Sequence, residues 1–282
     1  SQVLNIREKL FMIDCGEGTQ IQMRRTKIAF GKLNHIFISH LHGDHCFGLL
    51  GIVSSFGLLG RTAPLFVHAP ADMWKILKPE LDFYCQGMEY EVEFCGFNPK
   101  EKAVIYDDKS LYVETIPLKH RIPTAGFLFK EKPLPDHLDR AAADYYRVPQ
   151  WDYNRIKNGG DFVTADGKTI PHNQLTKPAT PPRSYAYCCD TEFNPDMIEQ
   201  ITGVSTLYHD CTYSEADKER AKKHFHSTAA QAANTAKQAE AGTLILGHFS
   251  ARYNNENILL EEAKEIFKNS YLAKENTTFT IE

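Results

Sequence analysis

Three histidines and one aspartate stand within six residues in the first fifth of the chain. His40, His42, Asp44 and His45 follow the pattern H-x-H-x-D-H, directly after a short apolar run at residues 36–39. Imidazole nitrogen and carboxylate oxygen are both ligands of zinc, and a catalytic zinc site keeps one position open for water. A lone surface histidine is usually only a solvated side chain, but four ligands at this spacing can surround two metal ions. The stretch therefore predicts a metal centre.

Three further side chains resemble this motif in one respect, because each stands just after a predicted strand. They are His120, Asp190 and His248, behind the strands predicted at residues 111–116, 184–189 and 243–246. Each one alone would more often be an ordinary loop residue. Ligands in α/β proteins gather at the carboxyl ends of strands, so we expect all seven side chains to converge there.

Hydrophobic periodicity predicts a mixed α/β chain around these residues. Further strands are predicted at residues 3–6, 10–13, 65–69, 91–97, 103–106, 205–209 and 277–281. Helices are predicted at residues 19–29, 49–59, 71–85, 194–201, 215–225 and 228–239, and after Asn255. Ser214 with Asp217, and Thr228 with Gln231, have the spacing of capping boxes that begin two of these helices.

Residues 131–183 differ in composition from the rest of the chain. They hold seven of the fourteen prolines and show little periodicity apart from a short helix predicted at residues 135–146. A long stretch with so little regular structure is either disordered or a functional excursion. We interpret it as a protruding arm inserted into a single domain that spans residues 1–282, since its apolar residues look too sparse for a core.

Bulk composition is that of an ordinary globular protein, with 42% hydrophobic and 24% charged residues among 282. No run approaches the roughly 18 apolar residues that a membrane helix needs, and no secretory signal pattern is present. We therefore expect a cytoplasmic protein without a membrane partner. The seven cysteines form no C-x-x-C pair, which favours reduced thiols in the core.

Net charge gives no clear indication of the partner. The formal charge is −4, which taken alone argues against a nucleic acid. Two divalent metal ions would bring about four positive charges, so local patches matter more than the total.

The motif SHLHGDH at residues 39–45 resembles the signature of the metallo-β-lactamase superfamily. The resemblance implies an α/β fold of four layers, αββα, with metal ions at the strand ends. It also implies that Asp190 bridges two ions, of which His40, His42 and His120 hold one and Asp44, His45 and His248 hold the other. Two ions roughly 3.5–4 Å apart can activate water and neutralise the charge of an in-line displacement at phosphorus. We expect Zn²⁺ at both positions and Asp44 as the general base.

Several segments together resemble the ribonuclease Z family more narrowly. They are DCGEGTQ at 14–20, SHLHGDHCFGLLG at 39–51, PLKHRIPTAGF at 117–127, CDT at 189–191, HST at 226–228 and GHFSARY at 247–253. The resemblance implies a homodimeric endoribonuclease that removes the 3′ trailer of precursor tRNA. In that family a strand with a glycine-rich turn precedes DCGEGTQ, so we expect that an amino-terminal strand is missing here.

His226 is the most informative residue outside the predicted metal ligands. It precedes the capped helix at Thr228, where free backbone N–H groups favour an anion such as phosphate. The resemblance implies that this histidine protonates the leaving 3′ oxygen with the help of an acid. The family commonly has HEATF where this chain has HDCTY at 209–213, so the helper would be Asp210, one methylene shorter than glutamate.

Two alternatives to a tRNA-processing enzyme stay open at this point. One is a phosphodiesterase or thioester hydrolase of the same superfamily that acts on small substrates. The other is a metal-stabilised RNA-binding protein without catalytic activity. The arm does not decide between them, since it lacks the Gly-Pro dipeptide common in ribonuclease Z arms and offers only scattered lysines, arginines and aromatic residues.

Overall fold

The computed structural model describes all 282 residues and divides into two compact units. The larger unit comprises Ser1–Lys130 and Ser184–Glu282, and the smaller one comprises Glu131–Arg183. The strands of the larger unit are β1 Gln2–Ile6, β2 Lys9–Ile13, β3 Leu33–Phe37, β4 Leu65–Pro70, β5 Val92–Phe97, β6 Val104–Asp107, β7 Leu111–Leu118, β8 Thr124–Glu131, β13 Ser184–Cys188, β14 Thr206–Asp210, β15 Thr243–Gly247 and β16 Ser270–Leu272. Its helices are α1 Thr19–Arg25, α2 Gly43–Cys46, α3 Leu49–Leu58, α4 Trp74–Tyr84, α7 Lys218–His224, α8 Ala229–Gln238 and α9 Asn257–Ile266.

Two β-sheets form the centre of the larger unit. The first has the order β1-β2-β3-β4-β5, and the second has the order β16-β15-β14-β13-β8-β7-β6. Strands β2 to β5 run parallel to one another, as do β13 to β16. The carboxyl ends of β13, β14 and β15 therefore open at the same edge of the second sheet.

The period-2 alternation of the strands separates three buried clusters. In β2 and β3, Phe11 and Phe37 face a cluster shared with Phe127 and Tyr187 of the second sheet. The residues between them, such as Met12, face the opposite side and pack against α1, α3 and α4. A third cluster lies between the second sheet and helices α8 and α9, and it is rich in alanine. This confirms the predicted four-layer αββα arrangement.

The smaller unit has regular structure of its own. Its elements are the strands β9 His137–Leu138, β10 Phe162–Val163, β11 Thr169–Ile170 and β12 Thr176–Lys177, and the helices α5 Arg140–Tyr145 and α6 Tyr153–Lys157. They surround a buried cluster of six apolar side chains, namely Ala143, Val148, Ile156, Phe162, Ile170 and Leu175. The expectation that this segment has too few apolar residues for a core is therefore wrong, because short elements suffice to bring spaced residues together.

Some predicted elements differ from the observed ones. The structure has no strand at residues 277–281, and the sheet edge is formed instead by β16, which was not predicted. Strand β8 was also missed. The helix predicted at residues 194–201 is a pair of short 3-10 turns. Ser214 makes no side-chain capping bond, whereas Thr228 and Gln231 form the predicted capping box at the start of α8.

None of the helices combines the length and the apolar character that crossing a lipid bilayer requires.

Candidate active site

Backbone contact between two glycine-containing loops fixes the H-x-H-x-D-H loop after β3. The amide of Gly48 donates to the carbonyl of Cys15 and the amide of Cys15 to that of His45, both at 2.8 Å. A Cβ at Gly48 would lie 2.0 Å from the carbonyl oxygen of Gly16, and one at Gly16 would lie 2.3 Å from that of Asp44. Glycine at both positions therefore lets the loops touch where any side chain would separate them.

A buried carboxylate anchors this loop from beneath. Asp14, just past the end of β2, accepts from the amide of Ser39 at 2.8 Å and from its hydroxyl at 3.0 Å. It also accepts from Nδ1 of His45 and from the hydroxyl of Tyr187, both at 2.8 Å. Burial alone would raise the pKa of Asp14, but His45, Ser39 and Tyr187 together lower it. The carboxylate is therefore charged and fully bonded.

Four histidine rings are oriented through Nδ1. His45 donates to Asp14, and His120 donates to the carbonyl oxygen of Phe225 at 3.0 Å. Nδ1 of His40 lies 2.9 Å from the hydroxyl of Ser39. Since that hydroxyl gives its proton to Asp14, its oxygen accepts from the ring.

The ring of His248 is oriented in the same way. Its Nδ1 lies 2.8 Å from the hydroxyl of Thr212, which gives its own proton to Asp210 at 2.7 Å. The oxygen of Thr212 therefore accepts from the ring. An outer partner that fixes which ring nitrogen carries the proton is typical of metal-binding histidines. The lone pair of each of the four rings is left on Nε2.

These four Nε2 atoms surround the carboxylate of Asp190, just past β13. The distances from Asp190 oxygens are 3.2 Å to His248, 3.7 Å to His45, 3.8 Å to His40 and 3.9 Å to His120. When the rings are neutral, their lone pairs and the carboxylate face one another without a proton between them. Nε2 of His120 is buried without any hydrogen-bond partner. Such a set of acceptors is stabilised by a cation, so the residues fit divalent metal ions.

Donor atoms that lie within 4.8 Å of one another form three groups, and two of these consist only of the predicted ligands. One contains His40, His42, His120 and Asp190, and the other contains Asp44, His45 and His248. The structure thus brings together all seven side chains that the sequence singled out as ligands. Asp44 differs from the rest because its side chain is 74% exposed, whereas His40 and His45 are buried.

Burial and neighbouring charges set the protonation of two of these rings. Burial, with His45 adding its charge, lowers the pKa of His40 to about 2. A neutral imidazole is the form that binds a metal. For His45, burial alone would lower the pKa, but the hydrogen bond and charge of Asp14 raise it to about 9. A proton on His45 is thus the competitor that a metal ion would displace.

His226 and Asp210 form a hydrogen-bonded pair beside the cluster. Nδ1 of His226 lies 2.7 Å from Oδ2 of Asp210, the last residue of β14. The His226 ring is stacked on His248 with centroids 5.0 Å apart and lies 5.1 Å from His120. Burial alone would lower the pKa of His226, but the hydrogen bond and charge of Asp210 raise it.

Asp210 itself is fully buried and bonded on both oxygens. Oδ1 accepts from the amide and hydroxyl of Thr212 at 3.0 and 2.7 Å, and Oδ2 accepts from the amide of Thr191 at 3.1 Å. The carboxylate is therefore held in place even though its side chain is shorter than that of glutamate.

Residues that orient the ligands were not found from the sequence. Asp14 lies in one of the resembling segments and follows a strand as the ligands do, but its pattern does not distinguish an orienting carboxylate from a ligand. Thr212 and the carbonyl of Phe225 gave no signal, because a hydroxyl or a backbone oxygen becomes an orienting group only through tertiary contact. Arg121, whose Nη2 lies 3.1 Å from Nε2 of His42, was also missed.

Comparison with solved structures shows the fold class. The short form of human tRNase Z matches with a TM-score of 0.70 at 21% identity, covering 99% of this chain and 91% of that one. The metallo-β-lactamase fold protein YhfI from Bacillus subtilis matches with a TM-score of 0.64 at 15% identity, covering 96% and 88%. The fold is therefore that of the metallo-β-lactamases.

Comparison with the sequences of known proteins identifies the family within this fold. A family model described as anti-Pycsar protein Apyc1 matches residues 1–134, which is less than half of the chain. Ribonuclease Z of Phocaeicola vulgatus is 56% identical over 282 residues, covering 100% of this chain and 91% of that protein. Identity at this level along the entire chain shows that the protein belongs to the ribonuclease Z family.

Proposed function

We propose that this protein is an endoribonuclease that removes the 3′ trailer of precursor tRNA by metal-assisted hydrolysis of a phosphodiester. The observation that carries the proposal is the His226–Asp210 pair. It places a histidine with a raised pKa against His248 and His120, two of the candidate ligands. A cluster that only bound metal would have no use for a proton donor at its rim.

We assign the ligands of two divalent ions as the resemblance implies. His40, His42 and His120 would hold one ion, Asp44, His45 and His248 would hold the other, and Asp190 would be a ligand of both. Zn²⁺ is the proposed ion, since imidazole and carboxylate both suit it. When bound, two such ions polarise the phosphoryl oxygen, lower the pKa of water and neutralise developing negative charge.

Side chains of the protein accept and donate the two protons that the reaction transfers. Asp44 is exposed and is proposed to accept the proton of the water whose oxygen attacks phosphorus. His226 is proposed to donate the proton on Nε2 to the 3′ oxygen as its bond to phosphorus breaks. Asp210 holds Nδ1 and favours the protonated ring, so Nε2 is the nitrogen left for the leaving group.

A competition assay separates this proposal from a hydrolase of small substrates. Precursor tRNA and bis(p-nitrophenyl) phosphate are offered together to the metal-loaded protein, and kcat/KM is measured for each. We expect a strong preference for the precursor, because remote binding energy raises catalytic efficiency only for the true substrate. A preference for the small ester would overturn the proposal in favour of that rival.

A binding-only protein is the second rival. It is disfavoured because the His226–Asp210 pair serves no purpose in binding. It would be supported if the protein bound precursor tRNA after metal removal yet cleaved it with none of Zn²⁺, Mn²⁺ or Mg²⁺ added back.

We further propose a homodimer in the cytoplasm, as the family resemblance implies. Light scattering coupled to size-exclusion chromatography should give twice the chain mass of 32.1 kDa. A monomer that cleaves precursor tRNA at full rate would overturn the dimer.

A further inference from the structure

Arg121 is a cation at the candidate active site that the reaction described so far does not use. It follows His120 in the loop between β7 and β8, and it is exposed. Its Nη2 lies 3.1 Å from Nε2 of His42, and the structure gives it no carboxylate partner. Lys119, two residues earlier, differs in this respect because its ammonium lies 2.6 Å from Asp196.

The positive charge of Arg121 influences the pKa of a histidine on each side of the candidate site, His42 and His226. It lowers the pKa of His42, after the larger effect of burial. It also opposes the rise in the pKa of His226 that Asp210 causes. The guanidinium therefore lies within electrostatic range of a candidate ligand and of the proposed proton donor, which are the two sides between which a scissile phosphate must fit.

The contact between Arg121 and His42 depends on which nitrogen of His42 carries the proton. Nδ1 of His42 lies 2.9 Å from Nε2 of His40, so a metal ion held by His40 would take the lone pair of His42 on Nδ1. The proton of the neutral ring is then on Nε2, facing a guanidinium that can only donate. Two donors repel, so the guanidinium of the metal-loaded protein needs another acceptor.

We propose that Arg121 is a substrate-binding residue that binds a backbone phosphate of the RNA at the cleavage site. This inference rests on the proposed function. A guanidinium offers two parallel N–H groups that match a pair of phosphate oxygens. Because Arg121 has no carboxylate partner, no ion pair has to break when it makes this contact. Phosphate contacts of this kind position the RNA without reading its sequence.

Binding of precursor tRNA as a function of salt tests the proposal. The measurement uses the metal-loaded protein carrying His226→Ala and is completed early, while slow cleavage leaves the precursor largely intact. Adding Arg121→Ala should weaken binding about tenfold at low salt, as expected for one charge-assisted contact. It should also reduce the slope of log Kd against log salt by about one, because one phosphate fewer is neutralised.

Two variants serve as matched comparisons. Arg121→Lys keeps the charge and loses the paired N–H groups, so it should keep most of the salt slope and lose part of the affinity. Lys119→Gln removes a positive charge from the same loop, but Asp196 already neutralises that charge. The slope of log Kd against log salt should therefore equal that of the protein carrying His226→Ala alone. Metal content, measured by elemental analysis, should be equal in all of them.

A modified substrate locates the phosphate. Replacing the phosphate at the cleavage site by one neutral methylphosphonate should weaken binding to both proteins, because the metal ions also favour the anion, but the loss of affinity should be larger for the protein with Arg121 than for Arg121→Ala. Parental affinity and slope in Arg121→Ala would overturn the proposal. Loss of metal in Arg121→Ala would overturn it too, because Arg121 would then only position His42. If the protein fails to bind or cleave precursor tRNA even with Arg121 intact, the proposed function itself falls.

Discussion

Asp210 reaches His226 because the backbone brings the two residues together. The segment after β14 lies beside the segment before α8, where the amide of Tyr213 donates to the carbonyl of Ser227 at 3.2 Å and the amide of Ala229 donates to Tyr213 at 2.9 Å. The short side chain of Asp210 is then long enough to place Oδ2 at 2.7 Å from Nδ1 of His226. The sequence alone could not show this, since side-chain reach depends on how closely two strands or loops approach.

The first prediction concerns His226 as proton donor. His226→Ala should lower the single-turnover rate of precursor cleavage by about 10²- to 10⁴-fold, because general acid catalysis contributes about that much. Metal content should stay that of the wild type, since His226 belongs to neither ligand group. His224→Ala is the matched control, because that ring is exposed on α7 and should be dispensable. Loss of metal in His226→Ala would make His226 a ligand instead.

Strand-end placement was the part of the site that sequence patterns could predict. The ligands follow β3, β7, β13 and β15, and periodicity identifies strands well when they alternate or form short buried runs. Strand β8 was missed because its first residues, 124–127, read as part of a resembling motif, although residues 124–129 are all buried. The strand expected at residues 277–281 has the right composition, but a strand also needs a neighbour with which to pair.

A prediction at the level of loops concerns Gly48. Gly48→Ala should lower the free energy of unfolding by roughly 1–3 kcal/mol, as overpacking does, and should reduce metal content. The reason is that a Cβ would lie 2.0 Å from the backbone oxygen of Gly16 and push the ligand loop outward. Gly31→Ala is the control, because no atom lies within 4 Å of its Cβ position. Chemical unfolding of both variants checks this, and equal stability would show that the loops do not need this contact.

Two histidines on adjacent strands, His35 half-buried and His68 buried, make stability depend on pH. Nδ1 of His35 in β3 lies 3.1 Å from Nε2 of His68 in β4. Burial lowers the pKa of His35 to about 4, and burial with the charge of His35 lowers the pKa of His68 to about 3. Between about pH 6.5 and these values the unfolded chain binds more protons than the folded one. The stabilisation is therefore complete above about pH 6.5 and is lost as the pH falls toward 4.

Urea unfolding of the chelator-treated protein between pH 7 and pH 4 measures this effect. The variant His35→Leu with His68→Leu should lose less stability than the wild type over that range. Equal pH dependence of the two proteins would contradict the assignment.

At the scale of the whole molecule, the unit Glu131–Arg183 can be removed without breaking a sheet. Lys130 of β8 and Ser184 of β13 are direct partners in an antiparallel pair. A two-residue Asn-Gly turn should therefore join them as a hairpin. Within the unit, Tyr145 and Trp151 are 79% and 81% exposed, which suits contact with a partner.

The shortened protein tests what this unit does. We expect it to fold and to hydrolyse bis(p-nitrophenyl) phosphate at a rate close to that of the full chain, since the ligands lie outside the removed segment. Its kcat/KM for precursor tRNA should fall at least about 100-fold if the arm supplies binding energy for the RNA. Undiminished tRNA cleavage would show that the arm is not needed for the substrate.

Mapping the cleavage site on a precursor tRNA tests the central claim most directly. The metal-loaded wild type should cut once, just after the acceptor stem, and leave a 3′ hydroxyl on the tRNA. Asp44→Ala should show no cleavage while keeping the wild-type circular dichroism spectrum, because it removes both the proposed base and one ligand. Cuts scattered along the trailer, or cleavage by Asp44→Ala near the wild-type rate, would contradict the account.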